Sequence, residues 1–120
     1  MARLRSKGSN ATKLVRDDDL VPLPIMPWGI VHNLVPTEVT AARNVTPISA
    51  ECGVVSIAAI GGAAHFKQGD ASVTATVSDA YLPEGEWYEL PVFEGDAWSY
   101  VSIISATGAG TIAAQIAERQ

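Results

Sequence analysis

Cysteine is nearly absent from this 120-residue chain: Cys52 is the only one, so no internal disulfide forms and a disulfide-stapled scaffold is excluded. With no histidine or acid beside it in sequence, Cys52 reads as a small buried hydrophobe rather than a catalytic thiol. Long apolar runs are missing as well. The longest stretch, residues 54–64, is interrupted by Ser56 and Gly61-Gly62 and falls far short of the roughly 20 residues of a bilayer-spanning helix. Aromatics make up 7% and only two are Phe, so the core has to rest on Val, Ile, Leu and Ala. Cations are scarce beyond the start: residues 17–120 hold three against thirteen acids. A field of that sign argues against nucleic-acid binding by the body, because phosphate affinity comes from cation contacts.

What is present is apolar enough to fold. Hydrophobic residues are 48% and charged residues 18%, outside the range of disordered chains, and the length suits one domain. Residues 1–16 carry five cations (Arg3, Arg5, Lys7, Lys13, Arg16) and no acid, and read as a solvated basic terminus. They contain no apolar h-region, so synthesis in a reducing cytosol is expected, and the sequons at Asn10 and Asn44 are expected to stay unglycosylated.

Five of the seven prolines (Pro22, Pro24, Pro27, Pro36, Pro47) precede residue 48 and prevent a helix there. Among them lie Leu20, Leu23, Ile25, Met26, Trp28 and Ile30, too apolar to remain in water. The expectation is an extended arm over 1–47 whose apolar residues bind a partner subunit, with self-packing as the alternative. From residue 48, turn signals recur every 8–15 residues and predict strands near 54–60, 63–68, 71–78, 87–93, 98–106 and 110–117. Residues 71–78 alternate between Val73, Ala75, Val77 and Ser/Thr positions, the pattern of a half-buried antiparallel strand. Short helices at residues 61–64 and at the Ala-rich end are the rival reading. The fold class is therefore all-β: a small antiparallel β-sandwich or jelly-roll-like barrel over 48–120, carrying a long extended N-terminal arm.

No constellation carries chemistry. The stretch Gly108-Ala109-Gly110-Thr111-Ile112-Ala113 matches G-x-G-x-x-A but opens no βαβ unit, and reads as a glycine-rich hairpin turn. Asp17-Asp18-Asp19 lacks EF-hand spacing. His32 and His65 are isolated, and neither a nucleophile elbow nor a phosphate loop occurs. The chain is expected to be no enzyme, with no catalytic residues, cofactor or metal. The informative polar stretch is acidic and aromatic, from Asp79 to Tyr100. Within it Tyr81, Trp87 and Tyr88 are candidates for partner contact, and Phe93 and Trp98 for core anchors.

Two segments carry a resemblance. Asp79, Tyr81, Leu82 and Pro83, followed by Ile104, Ser105, Ala106, Gly110, Thr111 and Ile112, resemble the turn-strand pattern of small structural proteins of tailed bacteriophages, over about 45 residues. The chain departs from it in ending Ile116-Ala117-Glu118-Arg119-Gln120, where such proteins more often continue the strand. The resemblance implies a capsid cement or decoration protein on the virion exterior. Its partners would be the major capsid protein and copies of itself, as a homodimer or homotrimer, with no specific nucleic acid and no membrane. A head–tail connector or tail accessory protein is the nearest alternative. A carbohydrate- or protein-binding β-module using Trp87, Tyr88 and Trp98 is the alternative of another class.

Overall fold

A computed structural model describes residues 13–16, 22–25, 28–93 and 96–119. Ten strands follow in chain order: β1 (Lys13–Arg16), β2 (Pro22–Ile25), β3 (Trp28–Leu34), β4 (Ala42–Arg43), β5 (Val54–Ile60), β6 (Ala64–Gly69), β7 (Ala80–Leu82), β8 (Tyr88–Pro91), β9 (Tyr100–Ser105) and β10 (Ala113–Arg119). One 3-10 turn, Asp96–Trp98, precedes β9, and no α-helix occurs among the described residues, which removes the helical rival. No helix is long and apolar enough to cross a membrane.

The pairing is nested. β3 lies antiparallel to β10, β4 to β9, β5 to β8 and β6 to β7, as in one long hairpin rolled up on itself. Lateral pairing of β10 with β5 and of β9 with β6 completes two four-stranded sheets, ordered β3-β10-β5-β8 and β4-β9-β6-β7. This is the strand order of a jelly roll, an all-β sandwich. β1 and β2 form a separate antiparallel hairpin with Lys13 opposite Ile25 and Arg16 opposite Pro22. Proline is tolerated in a strand where its missing N–H points off the sheet, and the alternate positions 22 and 24 put both on one edge.

Between the two main sheets the alternate residues Val55, Ile57, Ala59, Val101, Ile103, Ala114 and Ile116 are sealed from solvent, joined by Leu82, Leu34 and Ile48. The core is aliphatic, as the composition requires. The apolar runs predicted as central strands are indeed the inner β5 and β9.

Three expectations need correction. The sandwich starts at Trp28, not at residue 48: β3 and β4 belong to the two sheets, and Leu34 and Ile48 belong to the core. Proline density over the whole segment hides this, because Pro27 and Pro36 bracket an eight-residue run that contains none. Residues 71–78 form no strand. Val73 and Ala75 do turn inward, but both ladder edges of β6 are occupied by β9 and β7. The segment lies instead over the outer side of that sheet, where the Ala75 N–H donates to Ser102 Oγ at 2.9 Å. The Gly108–Gly110 stretch is no hairpin turn, since β9 and β10 belong to different sheets. It crosses between them with both glycines at positive φ, and the Gly110 N–H donates to Glu38 Oε2 at 2.7 Å.

Candidate interaction surface

Because the interior is filled by aliphatic side chains, the aromatics are displaced outward. Trp28 (55% exposed), Tyr81, Trp87 (46%), Tyr88, Phe93 and Trp98 are all exposed, so every tryptophan of the chain stands at the surface. Phe93 and Trp98, expected as core anchors, pack edge-to-face against each other at 5.6 Å between ring centroids instead.

The outer face of the β3-β10-β5-β8 sheet concentrates this surface. Register places Arg119 beside Trp28 and Val54, Ala117 beside Val31 and Ser56, and Glu89 beside Ser56. All of these side chains therefore share one face. The two central strands present small residues there, and Ser56, Ala58 and Ala117 are nonetheless buried. Trp28 enters from one edge strand and Trp87 from the segment leading into the opposite edge strand, and their rings meet at 5.2 Å, tilted by 57°. Meeting across two intervening strands requires both indoles to lie down over the sheet, which explains how residues as small as alanine are shielded on an outer face. The Arg119 guanidinium sits 3.9 Å from the centre of the Trp28 ring, with Nη1 donating to Ser56 Oγ at 3.2 Å and lying 3.7 Å from Glu89 Oε2. The result is an amphipathic clasp, half exposed, with one cation and one anion at its rim.

Directly beneath, on the inner side of β10, is the one carboxylate built into the interior among the described residues. Glu118 is fully buried; its Oε2 lies 2.9 Å from His32 Nε2 and accepts the Ser49 N–H at 3.4 Å. Burial is the largest single influence on its carboxyl and opposes ionisation. Hydrogen bonds from Ser49 and then His32 together outweigh it and hold the pKa below the ordinary range. The ionised carboxylate accepts, so His32 Nε2 carries the shared hydrogen. This pair ties β3 to β10 and so fixes the root of Trp28. Cys52 is close by and buried, its Sγ–H donating to the Val54 carbonyl at 3.0 Å, and burial followed by the Glu118 charge raises its thiol pKa. Both favour the protonated thiol over the thiolate.

The candidate residues divide among distinct places. Trp28 and Trp87, read in separate halves of the chain, are brought into contact. Ile30, 56% exposed, follows on β3. Tyr88 stands exposed on β8 opposite Ile57. Tyr81 is on β7 of the other sheet, packed edge-on to His65 at 5.5 Å. Leu23 and Ile25 fall on the backbone of β2, and Leu20 and Met26 lie outside the described residues. Sequence reasoning missed Arg119 and Glu89: their convergence on Trp28 depends on sheet register between residues 30 to 91 positions apart, for which no local signal exists. It also treated Asn44 only as a sequon. Its buried side chain donates to the Thr46 and Ser99 carbonyls (2.7 and 3.1 Å) and accepts the Val101 N–H (2.9 Å), joining β4 to β9.

Among the described residues no group of three His, Cys, Asp or Glu side chains converges as a metal site. Two open depressions lie on the second sheet, one lined by Asp70, Ser72 and Tyr100 and the other by Lys67, Asp70, Ser72, Val73 and Trp98. The Asp70 carboxylate they share accepts the exposed Ser72 N–H and Ser72 Oγ–H at 2.9 and 2.7 Å, a local turn contact. No protein-family model matches the chain, and no curated protein or solved structure matches it either.

Proposed function

We propose that this protein is a structural component of a virion shell, a capsid cement or decoration protein that binds the major capsid protein through its N-terminal segment and the Trp28–Trp87 face. The observation that supports the reading most is the displacement of all three tryptophans and most other aromatics to the surface, on both sheets, around an aliphatic core. Rigid aromatic groups exposed in this number are the typical anchors of protein interfaces. Their spread over both sheets suits a chain that touches several neighbours at once, where many copies multiply individually weak contacts. The jelly roll is an architecture used by capsid proteins, a fold-level analogy that agrees with the resemblance of the Asp79–Pro83 and Ile104–Ile112 segments.

The chain leaves the sandwich beside Trp28, and β1–β2 pairs only with itself in the ladders described. An isolated two-stranded hairpin is marginal in water, so its stability comes from burial against protein. The prolines there restrict the free segment and lower the ordering cost of docking. The acidic sandwich, with three cations against ten acids over residues 28–119, complements a basic outer shell surface.

Jelly rolls also occur among lectins, which makes the Trp28–Trp87 face a possible glycan platform. The 57° tilt of the rings and the guanidinium over Trp28 leave no pair of coplanar open faces for a sugar to stack on, and protein contact is the favoured use. The test is quantitative mass spectrometry of purified particles. Hundreds of copies of the chain per particle fit a cement protein and a dozen or fewer fit a connector, while absence from particles refutes the proposal. A glycan array with a positive signal would favour the other class.

A further inference from the structure

Each four-stranded sheet has two free edges, and the chain treats them unequally. In the second sheet the edges are β4, two residues long, and β7, three residues long. In the first sheet β8 is four residues long, ends on Pro91 and carries Glu89. These are the devices by which sheets avoid pairing with other chains: short edges, proline and charge.

β3 has almost none of them. It is seven residues long, contains no proline, and carries no Asp, Glu, Lys or Arg. Among the described residues its ladder partner is β10 alone. A register shift opposite Ala117–Arg119 disturbs the Trp28 end, but from Val31 to Leu34 the strand runs in regular register. Trp28, Ile30 and Val31 are 55%, 56% and 41% exposed along this edge.

We infer that β3 is the self-association edge of the protein: two copies pair β3 to β3 antiparallel, joining their first sheets into one continuous eight-stranded sheet. Antiparallel pairing of a strand with itself is isologous, so one surface serves both copies and the assembly closes at two. Charge selects this edge over the others. Residues 28–119 hold three cations against ten acids, so two copies repel wherever acidic surfaces meet. Self-pairing through β8 would bring Glu89, with Glu86 and Glu84 in the chain before it, against the same residues of the second copy. Among the described residues the outer edge of β3 pairs with no other strand and is flanked by Ile30 and Val31 without like charge, the arrangement used in strand addition. The inference concerns how copies meet one another and stands whether or not a shell is the final partner.

The test uses the full chain in solution. Light scattering coupled to size exclusion is expected to give a dimer mass at tens of micromolar, dissociating on dilution. Ile30→Lys and Val31→Lys place a charge on the edge and are expected to give monomers at the same concentration, with unchanged far-UV circular dichroism. Glu89→Gln, on the opposite edge, is expected to leave the dimer intact. A monomeric wild type, or lysine variants that remain dimeric, overturns the inference. Should a lysine variant fail to fold, hydrogen exchange on the wild type decides. Protection over residues 29–34 that rises with protein concentration supports β3 pairing, and protection that does not change with concentration refutes it.

Discussion

Replacing Trp28 and Trp87 by alanine, singly and together, probes whether the two indoles act as a unit. A fully buried aromatic side chain removes roughly 150–250 Å² from water. Trp28 is 55% exposed, so about 100 Å² of it is covered, worth about 2.5 kcal/mol at ~25 cal/mol per Å² and less once a compact unfolded state is considered. The guanidinium over its ring adds about 0.5–1 kcal/mol. Trp28→Ala is therefore expected to cost about 2 kcal/mol of stability, and Trp87→Ala a similar amount. If the rings hold each other over Ser56, Ala58 and Ala117, the double variant loses less than the sum of the two single losses, by about 0.5–1.5 kcal/mol. Urea unfolding followed by far-UV circular dichroism measures all three variants without relying on tryptophan emission. Losses that add within about 0.3 kcal/mol would refute the clasp, since independent surface residues behave that way. Under the proposed function, Trp28→Ala is also expected to weaken assembly onto the shell more than it lowers the melting temperature, because a partner docked there would cover its exposed half.

Three further expectations follow from the interior. Asn44→Ala removes the acceptor of the buried Val101 N–H and the donor shared by the Thr46 and Ser99 carbonyls, and thermal unfolding should show a loss of about 1–3 kcal/mol. Glu118 has a folded pKa below its unfolded value, so its contribution is complete above the unfolded carboxylate range and is lost as pH falls through the folded pKa. Melting temperature should drop on acidification below about pH 4.5, and Glu118→Gln should flatten that dependence, as a pH series of melting curves would show. Ser105 Oγ is buried with no hydrogen-bond partner among the described residues, so Ser105→Ala should be neutral or stabilising by up to about 1 kcal/mol in urea unfolding; a clear loss would mean that a partner or water satisfies the hydroxyl.

Much of the sandwich is legible in the sequence because its strands obey local rules. The doubly apolar runs over residues 54–60 and 100–104 mark inner strands, since only a strand covered on both faces tolerates them. Residues 71–78 show the limit of period-two reading. Alternation reports which side chains turn inward, and Val73 and Ala75 do, but it carries no information on whether a ladder edge is available. β3 was hidden for a related reason: its partner, β10, lies some 80 residues away, and the flanking prolines dominate the local pattern. The interaction face was half visible. Trp28 and Trp87 stand out as exposed-type aromatics within polar or proline-rich surroundings, but their contact, and the part played by Arg119 and Glu89, arises only from the nested pairing that brings β3 and β10 together.

The central claim, that the exposed aromatic surface and the N-terminal segment bind an assembled shell, is tested most directly by imaging particles together with the Trp28→Ala/Trp87→Ala variant. The account predicts density for the sandwich on the outer shell surface with its Trp28–Trp87 face or the preceding segment against the capsid subunits, and loss of that density when both tryptophans are replaced in a variant that still folds. Particles that carry the folded double variant at full occupancy, or shells that carry no copy of the wild-type chain, would contradict it.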